Sequence, residues 1–195
     1  MKRTVAVFDF DGTLTRKDTL LEFIRFSCGN GHFLWGFVLF SPILILMKLH
    51  LYPNRKAKEK VFAYFFGGWD YGRFKSRGEE FADVIENFKR EEALSLLNQH
   101  VKDGAEVFVV SASMEEWVRP WCLRHGVRHV VGTKIEVDGN GIITGNFLSE
   151  NCYGQEKVNR FLEYEPIRSA YELYAYGDSR GDREMLEFAD HAVRF

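Results

Sequence analysis

Short apolar runs and longer amphipathic stretches follow one another along the chain in two distinct regimes. Thr4-Val5-Ala6-Val7-Phe8 is an unbroken apolar segment ending at charge, the pattern of a strand covered on both faces. Similar runs recur at 106–110, 129–132, 172–176 and 192–195. Between them lie helical periodicities at 114–125, at a segment that Lys157 opens after Gly154-Gln155, and at 182–189. This alternation predicts an α/β fold built on a parallel sheet. A hairpin over 134–137 and 142–147 is predicted from Asp138-Gly139-Asn140-Gly141, residues that tolerate positive φ.

The other regime fills the stretch from Arg16 to Gln99, which has little strand signal and is too long for a simple crossover. Helices are predicted over 19–28, stopped by Gly29-Asn30-Gly31, and near 55–66, stopped by Gly67-Gly68, with further ones over 71–88 and 90–102. An uncharged apolar segment, 33–47, lies among them. The expected organisation is a sheet-containing core of residues 1–15 and 100–195 with an all-helical insertion, 16–99.

Polar residues collect where the strands end. Asp9 and Asp11 follow the first strand at i, i+2, a spacing that puts both on one side of an extended chain. They repel unless a cation lies between them or the chain turns at Gly12. Ser111-Ala112-Ser113 follows the second long run, and Gly177-Asp178 with Asp182 follows a later one. In open parallel sheets the crevice beyond the carboxyl ends of the strands is the usual ligand site, so these tips and Lys157 are expected to converge.

Asp9-Phe10-Asp11-Gly12-Thr13, Ser111, Lys157 and Gly177-Asp178 with Asp182, in that order, resemble the haloacid dehalogenase superfamily. Within it they resemble the branch that contains phosphoserine phosphatase and phosphatidylglycerophosphatase C. The resemblance implies a Rossmann-like core of strand order 5-4-1-2-3 and a type 1 cap formed by the insertion. It implies Asp9 as the nucleophile that becomes an aspartyl phosphate and Asp11 as general acid and base. Gly12, Ser111, Ala112 and Lys157 would contact the phosphate. Mg²⁺ would sit on the Asp9 carboxylate, the Asp11 carbonyl and Asp178, with Asp182 reaching it directly or through water. Taken singly, Ser111 reads as a helix cap, Lys157 as a solvated helix residue and Thr13 as a hydroxyl that ties down a turn.

Substrate identity is less legible. Phosphoserine phosphatase carries a substrate-binding glutamate after its first motif; the position here is Asp18, one methylene shorter, and no counterpart of its cap arginine segment is found. The apolar run 33–47 falls short of a bilayer core of about 30 Å at a helical rise of about 1.5 Å per residue. Lys48, Arg55, Lys56, Lys58 and Lys60 follow it, a pairing typical of interfacial anchors. Phosphatidylglycerophosphatase C has a similarly apolar cap segment and a stretch like Cys152–Val158. Three readings of the run stand: the buried centre of the cap, a homodimer contact, or peripheral membrane contact through 33–60. The function expected is phosphomonoester hydrolysis of a small molecule or lipid head group. A phosphatidylglycerophosphate-type lipid phosphatase, phosphoserine phosphatase and a non-catalytic phosphate- or membrane-binding module are the alternatives.

A net charge of −2 over 195 residues argues against bulk electrostatic binding of nucleic acid. Cys28, Cys122 and Cys152 lack paired spacing, and Lys2-Arg3 precedes too short an apolar run for a leader. The expected location is the cytoplasm, or the cytoplasmic surface of the inner membrane. His32, His50, His100, His125, His129 and His191 are scattered, and Gly126 separates the one i, i+4 pair.

Overall fold

The computed structural model describes residues 2–49 and 51–195, so His50 lies outside the described residues. Strands β1 (Arg3–Phe8), β2 (Glu106–Met114) and β3 (His129–Thr133) join β6 (Tyr171–Gly177) and β7 (His191–Arg194) in one sheet. Its order is β3-β2-β1-β6-β7 and every pairing is parallel, which is the expected 5-4-1-2-3 order. A separate antiparallel pair, β4 (Ile135–Val137) and β5 (Ile143–Phe147), forms the predicted hairpin.

Alternation along the central strands divides two apolar clusters. Val5 and Val7, Phe108 and Val110, and Leu173 and Ala175 pack on one face with Val158 and Phe161 of α7 (Gln155–Tyr164) and Met185 of α8 (Arg183–Phe188). Ala6 and Phe8, Val107 and Val109, and Tyr176 face the other way. There they meet α5 (Glu91–Lys102), α6 (Glu115–Arg124) and the insertion. Covering both faces explains why β1 reads as a continuous apolar run.

The insertion contributes α1 (Thr19–Cys28), α2 (Asn30–Lys48), α3 (Asn54–Phe66) and α4 (Tyr71–Ile85). Asp18 and Asp70 cap α1 and α4 by accepting from the N–H groups of Leu21 and Arg73. The aromatic side chains of these helices do not form a core of their own. Phe23 stacks on Trp117 of α6 at 4.5 Å between centroids, and Phe10, just after β1, meets Trp121 edge-on at 5.3 Å. The last predicted helix of the 16–99 stretch, α5, packs against β1, β2 and the loop after β1.

Two local differences from the sequence reading concern the site. β2 continues to Met114 because its pairing with β3 resumes at Met114–Thr133 after an irregularity beyond Val110. Ser111 and Ser113 are therefore on extended chain, and α6 starts one residue later than expected. In α2, Pro42 removes the donor for the Val38 carbonyl, and the Ser41 hydroxyl supplies a substitute at 2.8 Å.

Candidate active site

Parallel pairing of β1 with β6 brings the two acid-bearing strand ends side by side, and the Asp9 N–H closes the ladder on the Tyr176 carbonyl at 2.9 Å. The loop 10–14 then turns at Gly12, whose φ is +86°. A side chain there would be strained. A Cβ on Gly12 would lie 2.3 Å from Asp178 Oδ2, so the missing side chain lets the two strand tips approach.

Asp9, Asp178 and Asp182 each bring an oxygen to within 4.8 Å of the others. Lys157, from the first turn of α7, is buried between them. Its Nζ donates to Asp9 Oδ1 and, at 2.5 Å, to Asp182 Oδ1. Burial works against the ammonium charge, but Asp9 and Asp182 outweigh it and hold the Lys157 pKa above its ordinary value. Burial likewise pushes Asp9 up to about 7 despite Lys157, with Asp182 adding to the rise. One buried cation thus bridges two carboxylates, with a third alongside.

Asp182 has little capacity left. Its second oxygen accepts from the N–H groups of Asp178 and Ser179 and from the Ser179 hydroxyl at 3.2, 2.9 and 2.8 Å. It orders the loop and fixes Lys157. Asp178 is half-buried, and its carboxylate accepts from the Thr13 hydroxyl at 3.2 Å while its carbonyl accepts from Arg194; burial and then Asp182 raise its pKa. Thr13 therefore ties the loop after β1 to the loop after β6, a longer reach than the local turn contact expected of it. Free oxygens on Asp9 and Asp178 beside an excess of negative charge suit a hard cation such as Mg²⁺.

Asp11 points toward the insertion. Its Oδ1 accepts from the N–H and hydroxyl of Thr19 at 2.7 and 2.6 Å, and its Oδ2 from the Ser113 hydroxyl. The indole of Trp117 in turn donates to the Thr19 hydroxyl at 3.0 Å. Burial and the charge of Asp18 push the Asp11 carboxyl up to about 6, while Ser113 and Thr19 draw it down. Asp18 itself is exposed and caps α1.

Ser111 is fully buried and its Oγ accepts from the Ser113 N–H at 3.0 Å, which leaves its own proton free to donate. That contact occupies a backbone N–H just ahead of α6. Ala112 is half-buried, and its carbonyl accepts from Thr133 at 2.9 Å. Thr19, Trp117 and Arg90 are not singled out by the sequence, and Ser113 only as part of the strand-end serine pair. The second serine of Ser111-Ala112-Ser113 and a threonine at the first turn of α1 were the available signals; Arg90 gave none. His125 and His129 part company, His125 bonding Glu86 at 2.8 Å and His129 stacking on Phe108.

The chain is similar to known proteins over nearly its whole length. A probable phosphatase of Mycobacterium tuberculosis is 30% identical over 197 residues, covering 97% of this chain and 68% of its own length. A solved structure of a protein of unknown function from Bordetella pertussis Tohama I superposes with a TM-score of 0.85 at 21% identity, over 100% of this chain and 90% of that one. A structure titled as a phospho-aspartyl intermediate analogue of phosphoserine phosphatase superposes with a TM-score of 0.68 at 20% identity, over 100% of this chain and 87% of that one. The haloacid dehalogenase-like hydrolase family model matches residues 6–187, nearly the whole chain, and the chain belongs to that family.

Proposed function

We propose that this chain is a magnesium-dependent phosphomonoester hydrolase that works through an aspartyl phosphate on Asp9. The observation that carries the reading is the buried Lys157 bridging Asp9 and Asp182, with Asp178 alongside, at the carboxyl ends of two adjacent parallel strands. The family membership and the similarity to a probable phosphatase support it.

In this mechanism an Asp9 carboxylate oxygen attacks phosphorus and the bond from phosphorus to the ester oxygen breaks. Asp11 gives its proton to that oxygen, so the alcohol departs neutral. Asp11 then takes a proton from water, whose oxygen attacks the phosphoryl group and returns Asp9 as a carboxylate with inorganic phosphate. The Ser111 hydroxyl and Lys157 bind phosphoryl oxygens, with Gly12 and Ala112 contributing backbone to the same pocket. Mg²⁺, held by Asp9, Asp178 and the Asp11 carbonyl, would neutralise phosphate charge so that one anion can approach another. Helices α1–α4 act as the cap of a core formed by 1–15 and 100–195, and Asp18 sits at its hinge beside the substrate. We place the protein in the cytoplasm.

The test is turnover of p-nitrophenyl phosphate with Mg²⁺ and with excess chelator, followed by a screen of soluble phosphomonoesters. Magnesium-dependent release of phosphate and trapping of radiolabel on Asp9 are expected. No turnover of any phosphomonoester would favour a non-catalytic binding module.

A further inference from the structure

Helix α2 is apolar on both its sides, yet only 11% of it is buried. Phe33, Gly36, Phe40 and Leu44 turn inward. Leu34, Trp35 and Val38 turn outward and are 62%, 67% and 66% exposed, with Leu39, Ile45 and Leu49 extending the same uncovered surface. An apolar face of this extent marks a contact with another apolar body.

Charge identifies which body. No acidic residue lies between Glu22 and Glu59, whereas Arg25, Lys48, Arg55, Lys56 and Lys58 do, in a chain whose net charge is −2. Arg55 is paired with Glu59 and Glu150, but Lys48, Lys56 and Lys60 are exposed. A second copy docked by a two-fold axis would bring these like charges toward each other. An anionic bilayer satisfies both the apolar face and the basic surround.

Beneath the same helix runs a groove of about 350 Å³ between α1, α2 and α3. Ile24, Phe40, Leu44 and Phe65 line it, and Asp18, Lys48 and Lys58 are its charged members. Gly36 seats α2 directly on α3, since a Cβ there would lie 2.3 Å from Phe65 Cζ. Asp18 immediately precedes Thr19, which holds Asp11, so the groove begins beside the acid-lined crevice.

We propose that this groove takes the alkyl chain of a phosphorylated lipid whose head group occupies the crevice, and that the outer face of α2 rests on the anionic bilayer supplying it. The proposal takes the head-group site from the phosphatase reading above, while groove and docking face are tested without turnover.

Flotation with vesicles of phosphatidylglycerol and phosphatidylcholine should carry the protein upward, and pure phosphatidylcholine should carry less. The Leu34→Glu/Val38→Glu double variant, its fold checked by circular dichroism, should stay in the lower fractions. Titration calorimetry in magnesium buffer with non-hydrolysable alkylphosphonates should show Kd falling about two- to fourfold per methylene from butyl to decyl. Leu44→Trp should level that series; if it does not fold, the unmodified protein's series still decides. Equal Kd values for butyl- and decylphosphonate overturn the groove, and protein left wholly in solution overturns the docking face. A stable dimer in sedimentation velocity that Val38→Glu dissociates overturns it in favour of a second copy. Turnover of p-nitrophenyl phosphate with a flat phosphonate series leaves the phosphatase standing alone. Chain-dependent binding without turnover of any phosphomonoester leaves a lipid-binding site and removes the phosphatase.

Discussion

The guanidinium of Arg90 donates to the carbonyl of Gly12 at 2.9 Å. Arg90 also donates its own N–H to Leu14, and Arg16 donates to Phe88, so the chain leaving for the insertion and the chain returning from it are stitched together beside Asp11. Arg90→Met should lower kcat by about ten- to a hundredfold through a displaced loop, because small misplacements at a reacting centre are costly. Steady-state kinetics with p-nitrophenyl phosphate will check it, with KM expected to change less than kcat.

Asp9→Asn removes the attacking oxygen's charge and should reduce turnover by about 10⁴-fold or more. Acid-quenched enzyme should carry no phosphoryl label. Full activity in this variant would reject Asp9 as nucleophile.

Lys157→Met leaves Asp9 and Asp182 facing each other in a buried site without their shared cation. Losing one partner of such a cluster costs about 3–5 kcal/mol. Urea unfolding should report this loss, and added Mg²⁺ should recover part of it if the acids hold the ion.

The hydroxyls of Thr19 and Ser113 both address Asp11. Replacing them, as Thr19→Val or Ser113→Ala, should impair proton delivery to the departing oxygen. An alkyl phosphate, whose alkoxide needs that proton, should slow by about 10²-fold, within the range for general acid catalysis. The nitrophenyl ester, with a far better leaving group, should slow much less. Equal losses on both substrates would argue for a general distortion.

Glu116, away from the acids, offers a pH test. Burial first, and the neighbouring Glu115 charge, push its carboxyl up to about 7, while Tyr71 and Arg119 pull the other way. Between about pH 4.5 and 7 the folded chain holds a proton that the unfolded chain has released, so this group's contribution to stability declines as pH rises through that window. The Glu116→Gln variant lacks the decline. Its stability relative to the native sequence should therefore rise by about 3 kcal/mol from pH 4.5 to just above 7 and level off beyond, as measured by urea unfolding across pH.

Much of the sheet and the acid cluster was legible because each depends on local signals. Val5-Ala6-Val7-Phe8 reads as a doubly covered strand by composition alone, and Asp9, Asp11, Asp178 and Lys157 stand at element ends in an order along the chain that marks them together. The Thr19–Asp11 and Arg90–Gly12 contacts were invisible, since their partners are separated by a loop or by the whole insertion and each residue has an ordinary role as a helix starter or surface cation. The end of β2 was misjudged because serine and alanine give weak strand preference, and pairing with β3 prevails over it at Met114–Thr133. The apolar run 33–47 admitted three readings in one dimension. Its inner and outer stripes become distinct only when α1 and α3 lie beneath it.

The stacking of Phe23 on Trp117 has a bearing on how this protein can be re-engineered. Specificity in such enzymes invites exchange of the inserted helices as a cassette between relatives. Here a foreign cassette would strip the Trp117 indole of its stacked neighbour, opening a void on the face of the sheet that α6 covers. A functional chimaera would have to import α6 together with the helices it replaces, so the portable unit is larger than the insertion.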